Sequence, residues 1–211
     1  MVPPRAFAGS RARSAERGAS LIELIIVVSI LGILLMAAIP NISERIRNAQ
    51  IRTAAESLQA GLLRARNEAI TKNASVRFSL VTTLGEDCAR SATATNYVVS
   101  FDDPAGQCDT DAGKLSEAPR IFVKASGKDG SAAAALQATQ ADTTTAADQV
   151  VYTALGRLDT TVTGQIRRIE VSAATNPSAF RRYRIEISPV GGVRICEPTI
   201  TSTTDPRRCL T

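Results

Sequence analysis

The sequence predicts an α+β fold: one long N-terminal helix packed on an antiparallel β-sheet head. Three observations lead there. A run from Leu24 to Ile39 carries no charge over sixteen residues. Beyond Pro40, apolar residues recur at three- and four-residue steps up to about residue 71. Beyond Ala74 the pattern turns to alternation and the β-branched fraction rises. The length of 211 residues suits one domain of roughly 150 residues with an appendage. A mean hydropathy of +0.01 averages two unlike parts. The absence of histidine excludes Ser-His and Cys-His nucleophile pairs and every His-ligated metal site. No catalytic set is visible and no cofactor is implied.

Residues 1–18 precede the apolar run and hold Arg5, Arg11, Arg13 and Arg17 against Glu16, a net +3. This reads as a leader, to be set aside before fold reasoning. A secretory signal ending near Met36-Ala37-Ala38 and a plain signal anchor are the alternative readings. Neither accounts for Glu23. A carboxylate carried to the membrane centre costs about 2.5 to 3.5 kcal/mol and therefore asks for a partner. If the chain is cut after Gly18, the new amino group of Ala19 lies about one helical turn from Glu23, and it could equally face a neighbour's carboxylate.

Residues 19–40 are expected to form the hydrophobic, transmembrane part of the helix, interrupted by Gly32 and Pro40, the residue types that weaken or kink a helix interior. Residues 41–73 form its amphipathic second half. There Ile42, Ile46, Ala49 and Thr53, then Leu58, Leu62, Ala65 and Ala69, make the expected packing stripe, and the whole helix would run roughly 80 Å at 1.5 Å per residue. Lys72-Asn73 is the expected end, with a cation in the last turn and a residue that tolerates the left-handed conformation.

The head, residues 74–211, is expected to hold strands at 75–81, 96–101, 120–124, 149–154, 165–172 and 180–188, with a short one at 193–196. The Ala/Thr-rich stretch 131–148 reads as a mobile loop or a short helix. Four cysteines, Cys88, Cys108, Cys196 and Cys209, show no Cys-x-x-Cys spacing. Three pairings are possible. Cys88–Cys108 with Cys196–Cys209 is favoured because each closes a short local loop. Asp102, Asp103, Asp109 and Asp111 miss the EF-hand spacing and read as a solvated acidic loop.

Charge is segregated. Residues 82–155 hold ten acids against five bases, whereas 157–211 hold nine arginines, no lysine and five acids. Arg182 and Arg184 are expected on one strand face opposite Tyr183, Ile185 and Ile187, with Arg194, Arg207 and Arg208 near the second disulfide. Such arginines suit phosphate contact, a carboxylate-bearing partner, or a charged edge strand protected from pairing.

A basic leader ending in Gly18, the link Ala19-Ser20-Leu21-Ile22-Glu23 and a long apolar helix together resemble the class III signal of type IV pilins and type II secretion pseudopilins. The resemblance implies cleavage of Gly18–Ala19 by a membrane-embedded prepilin peptidase, methylation of the new terminus, and a role for Glu23 in guiding the subunit into a filament. It further implies unwinding between Gly32 and Pro40 on assembly. Ala19 stands where Phe or Met is usual, which bears on methylation. Arg52-Thr53-Ala54-Ala55-Glu56-Ser57-Leu58, Leu63-Arg64-Ala65-Arg66-Asn67-Glu68-Ala69-Ile70 and the ending Ser188-Pro189-Val190-Gly191-Gly192-Val193-Arg194-Ile195-Cys196-Glu197-Pro198 are similar to the GspH/FimT branch. That branch implies the type IV pilin fold and a minor pilin that supports pilus assembly at the tip or in an initiating complex. The implied partners are other minor and major pilins, the prepilin peptidase and the inner-membrane assembly platform. The implied location is the inner membrane with a periplasmic head, then the extracellular pilus. The alternatives are a secretion pseudopilin and a DNA-binding minor pilin for natural transformation. DNA-binding members carry Gly-Arg-x-Arg, whereas Gly191-Gly192-Val193-Arg194 lacks the first arginine, so DNA is the less favoured partner.

Overall fold

The structure is a computed structural model that describes residues 20–127, 129 and 131–210; the side chains of residues 35–41 lie outside that description. The expected leader, residues 1–18, and the expected cleavage position between Gly18 and Ala19 also fall outside the described residues, as does the Pro40 side chain. The chain divides into two compact units, Met1–Ile42 and Ser43–Thr211. Helix α1 (Leu21–Lys72) begins in the first and ends in the second.

In the first unit, the Ser20 carbonyl accepts the Leu24 N–H at 3.1 Å, which places Ser20 at the helix cap with Glu23 in the first turn. The backbone is helical through both Gly32 and Pro40. Among the described residues no helix is long and apolar enough to cross a membrane.

In the second unit, α1 ends as its sequence predicts. Asn73 takes φ of 50°, the Asn73 N–H donates to Ile70 and the Ala74 N–H to Ala69. These are the two bonds of a Schellman cap. Among the described residues eight strands follow: β1 (Val76–Val81), β2 (Asn96–Ser100), β3 (Ile121–Ala125), β4 (Ala134–Thr139), β5 (Gln149–Tyr152), β6 (Arg168–Ala173), β7 (Tyr183–Ile187) and β8 (Val193–Cys196). They form two antiparallel four-stranded sheets, ordered β3-β2-β1-β5 and β4-β6-β7-β8.

The Ala/Thr-rich stretch is a correction. Residues 134–139, expected as loop or helix, make β4 and pair with β6 along six positions, Ala134 opposite Ala173 through Thr139 opposite Arg168. Alanine has little strand propensity of its own. A long neighbouring strand and burial of Ala134, Leu136 and Ala138 override it.

One core joins the helix to both sheets. Ile51, Ala54, Ala55, Leu58, Leu62, Ala65 and Ala69 meet Phe78, Leu80, Tyr97 and Tyr152 of the first sheet and Ile169, Val171, Tyr183 and Ile185 of the second. The stripe expected earlier in the helix does not hold: Ile42 and Ile46 are exposed, as are Ala49 and Thr53, while Ile51, Ala54 and Ala55 are buried. The β6–β7 connection of the head holds the helix at Arg47 and Asn48. There Asn48 Oδ1 accepts the Arg181 N–H at 2.9 Å, Arg47 donates to Thr175 Oγ1 at 3.0 Å, and the Arg47 guanidinium lies over the Phe180 ring.

A smaller cluster, Val81, Cys88, Val98, Cys108 and Ile121, covers the outer face of the first sheet. Both favoured disulfides are present, Cys88–Cys108 and Cys196–Cys209. Basic side chains reach into the acidic loop. Asp102 takes a two-pronged bond from Arg120 at 2.7 and 2.8 Å, Asp103 faces Arg90, and Lys124 Nζ donates to the carbonyls of Cys108, Asp109 and Thr110.

Candidate functional site

Two surfaces carry the chemistry singled out in the sequence. The first is the start of α1. From Leu21 to Leu34 every large apolar side chain is exposed, from 53% at Leu31 to 78% at Leu21, and these residues point to all sides of the helix. A helix apolar all round is stable only when lipid or protein surrounds it. Glu23 interrupts this surface and is itself exposed. A Cβ added at Gly32 would meet nothing within 4 Å, so the glycine answers no packing need among the described residues.

The second surface is the outer face of the β4-β6-β7-β8 sheet. As the alternation implies, Tyr183, Ile185 and Ile187 are buried while Arg184 and Glu186 face outward. Register then sets charges opposite one another: Glu170 faces Arg184 across β6–β7, and Glu186 stands between Arg168 and Arg194. Arg184 forms an ion pair with Glu170. Arg194 pairs with Glu186 at 3.1 Å and also donates to the Arg208 carbonyl at 2.9 Å. Arg207 pairs with Asp205 at 2.8 Å and with Glu197 at 3.5 Å. Hydrogen bonding from Arg207 holds the Asp205 carboxyl below its ordinary range. Arg182 precedes β7, is exposed and has no ion-pair partner among the described residues.

The five arginines therefore do not form one bare cationic face: Arg184 and Arg194 are bound to carboxylates of the outer sheet face, and Arg207, in the cleft beside α1, to Asp205 and Glu197. Sequence reasoning missed Glu170 and Glu186. Their signal was the Arg-x-Glu alternation at 168–170 and 184–186, which places opposite charges on facing strands when the register aligns. Glu186 also lies beside the Cys196 and Cys209 sulfurs, but those sulfurs are bonded to each other and offer a metal no thiolate.

A cleft of about 320 Å³ opens between α1 and β8, lined among others by Arg52, Glu56, Gln59, Arg181, Ile195 and Arg207. A shallower one of about 510 Å³ shares Arg52, Arg181 and Tyr183 with it and reaches Glu44 and Arg45. A third, of about 460 Å³, lies by Arg167, Arg168, Glu186 and Arg194.

No curated protein matches the chain. Two solved structures of the type IV minor pilin FimU from Pseudomonas aeruginosa are similar to it. One shows 14% identity and a TM-score of 0.45, covering 72% of this chain and 97% of that one. The other shows 18% identity and a TM-score of 0.42, covering 72% and 92%. Residues 13–39 match the prokaryotic N-terminal methylation motif, which spans Gly18, Ala19, Glu23 and Gly32. Residues 54–191, from the buried part of α1 to the β7–β8 turn, match the family described as type II transport protein GspH. The match covers more than half of the chain, and with the methylation motif ahead of it the protein belongs to the GspH family of pilin-like proteins.

Proposed function

We propose that the chain is a minor pilin of a type IV pilus, made as a precursor, cut between Gly18 and Ala19, and incorporated at the pilus tip or in an initiating complex. The observation that carries this reading is the apolar surface of Leu21–Leu34, exposed on all sides and with Glu23 near its start as its one charge. Such a surface fits lipid before assembly and neighbouring helices after it. Glu23 then neutralises the amino terminus of an adjacent subunit, and Gly32 and Pro40 mark the stretch that loosens when the helix leaves the membrane. The partners are other pilins, the prepilin peptidase and the inner-membrane assembly platform. The chain moves from the inner membrane to the extracellular pilus.

A pseudopilin of type II secretion is the second reading, favoured by the description of the matched family. DNA uptake is the third. The binding of Arg184, Arg194 and Arg207 to carboxylates counts against it. Mass spectrometry of the mature N-terminus, combined with detection of the chain in sheared pili, tests the first reading. A terminus at Ala19 with the chain present in pili supports it. An intact precursor overturns it, and a cleaved chain absent from pili in a strain that fails to secrete its exoproteins transfers the assignment to secretion.

A further inference from the structure

We infer that the cleft between α1 and β8 is a strand-addition site that takes an extended, acidic segment from the head of a neighbouring pilin subunit. Strand β8 is an edge of its sheet. Its turn fixes which backbone groups point outward. The Ser188 N–H donates to the Gly192 carbonyl, so in an antiparallel ladder the exchanging pairs are Glu186 with Arg194 and Arg184 with Cys196. Val193 and Ile195 then direct their N–H and C=O groups away from β7, and Ile195 lines the cleft. The parity is borne out one step further along, where the Glu197 N–H donates outward to the Arg207 carbonyl at 2.8 Å.

Ile195 thus presents a donor and an acceptor with no partner among the described residues. The neighbouring Val193 carbonyl is held only by Gln59 Nε2 at 3.5 Å, at the outer limit of a hydrogen bond. A row of alternating donors and acceptors is met in full by another extended backbone and not by a helix, a phosphate chain or a lipid headgroup.

The charges select the occupant. Within this cleft Arg52 is bound to Glu56 at 2.7 Å, and Arg207 to Asp205 and Glu197. The Arg181 side chain lines the same cleft, is exposed, and has no ion-pair partner among the described residues. The incoming strand therefore carries a carboxylate placed to reach Arg181. The inference rests on the reading of the chain as a subunit of a pilin assembly.

The test uses the full-length chain in its own host with the photocrosslinker p-benzoylphenylalanine at position 59, and mass spectrometry of the adducts. The expected adduct joins position 59 to an extended segment containing Asp or Glu in another pilin or pseudopilin subunit. Ile195→Pro removes an outward N–H without touching the β7–β8 ladder, and Arg181→Glu reverses the exposed charge. Each is expected to reduce the adduct at least tenfold, whereas Ile195→Val leaves it unchanged. Retention of both disulfides and of protease resistance checks folding, and if Ile195→Pro fails that check the exposed Arg181→Glu carries the result. An adduct that persists in Arg181→Glu, that joins a helix, lipid or nucleic acid, or that never forms although the chain enters pili overturns the inference alone. A chain absent from pili that still crosslinks to a secretion pseudopilin with the same dependence on Ile195 and Arg181 overturns only the pilus assignment.

Discussion

Gly61 lies under the ring of Tyr97 so closely that a Cβ at Gly61 would stand 2.5 Å from Tyr97 Cε2, with Phe78 Cε2 at 2.9 Å. The two rings stack at 5.1 Å between centroids and both are buried, so neither can swing aside into solvent. The missing side chain lets α1 and the first sheet close on each other. Gly61→Ala is therefore expected to lower stability by about 1 to 3 kcal/mol, the range for overpacking, although alanine is the better helix former. Gly32→Ala, with open space around it, is the matched control and should show no loss. Thermal melts of the two variants in the same detergent check this.

Removing either disulfide should be costly. The pairs are separated by 13 and 20 residues in sequence, and closing loops of that size is worth roughly 3 kcal/mol in the chain-entropy account. Cys196→Ser with Cys209→Ser is expected to lower stability by about that amount in chemical denaturation and also to free the tail whose Arg207 carbonyl holds β8.

Arg194→Ala should act on stability more than on nucleic-acid binding. It strips a bond from Glu186, whose Oε1 is buried without a partner among the described residues, and costs about 1 kcal/mol or more. Adding Glu186→Gln should restore part of the loss. A gel-shift series in which wild type binds DNA with a steep salt dependence and Arg194→Ala does not would instead move the arginine face to a DNA role.

The Asp102–Arg120 pair sets an acid dependence. Hydrogen bonding from Arg120 holds the Asp102 carboxyl below its ordinary 3.8, so the folded state binds this proton less readily than the unfolded chain. The resulting stabilisation is present above the unfolded value and is lost as pH falls through the folded one. Wild type should therefore lose more stability than Asp102→Asn when pH drops below about 4, read from urea midpoints at pH 6 and pH 3.

Tyr152 gives the opposite case. Its ring is fully buried, its hydroxyl has no partner among the described residues, and burial raises its pKa. Tyr152→Phe should be neutral or mildly stabilising at pH 7, because an unpaired buried hydroxyl costs free energy. It should also remove a loss of stability that sets in for wild type as pH rises past about 10, where the unfolded chain ionises and the folded one does not.

Glu23→Ala should still be cleaved after Gly18 and should fail to appear in sheared pili. Normal incorporation would leave Glu23 without the assembly role assigned to it. Gly18→Leu should instead leave an uncut precursor, measured as an unchanged mass.

By itself the sequence determined whatever is written in local periodicity and chemistry. The uncharged run with Glu23 near its start, the end of α1 at Lys72-Asn73, seven of the eight strands and the two short disulfide loops were all legible. Each depends on residues close together in the chain, through helical spacing, left-handed tolerance at Asn73, alternation, or loop closure. Only the tertiary structure decided the rest. Strand β4 exists because β6 offers a ladder that alanines would not form alone. Ile46, Ala49 and Thr53 stay exposed because the face of α1 that meets the two sheets is the one carrying Ile51, Ala54 and Ala55. The arginines at 184 and 194 are bound rather than bare because register sets Glu170 and Glu186 opposite them, and Gly61 matters because Tyr97 comes to rest above it. These are relations between residues of different elements, settled by sheet register and close packing, and the spacing within one element does not encode which side chain of another comes to face it.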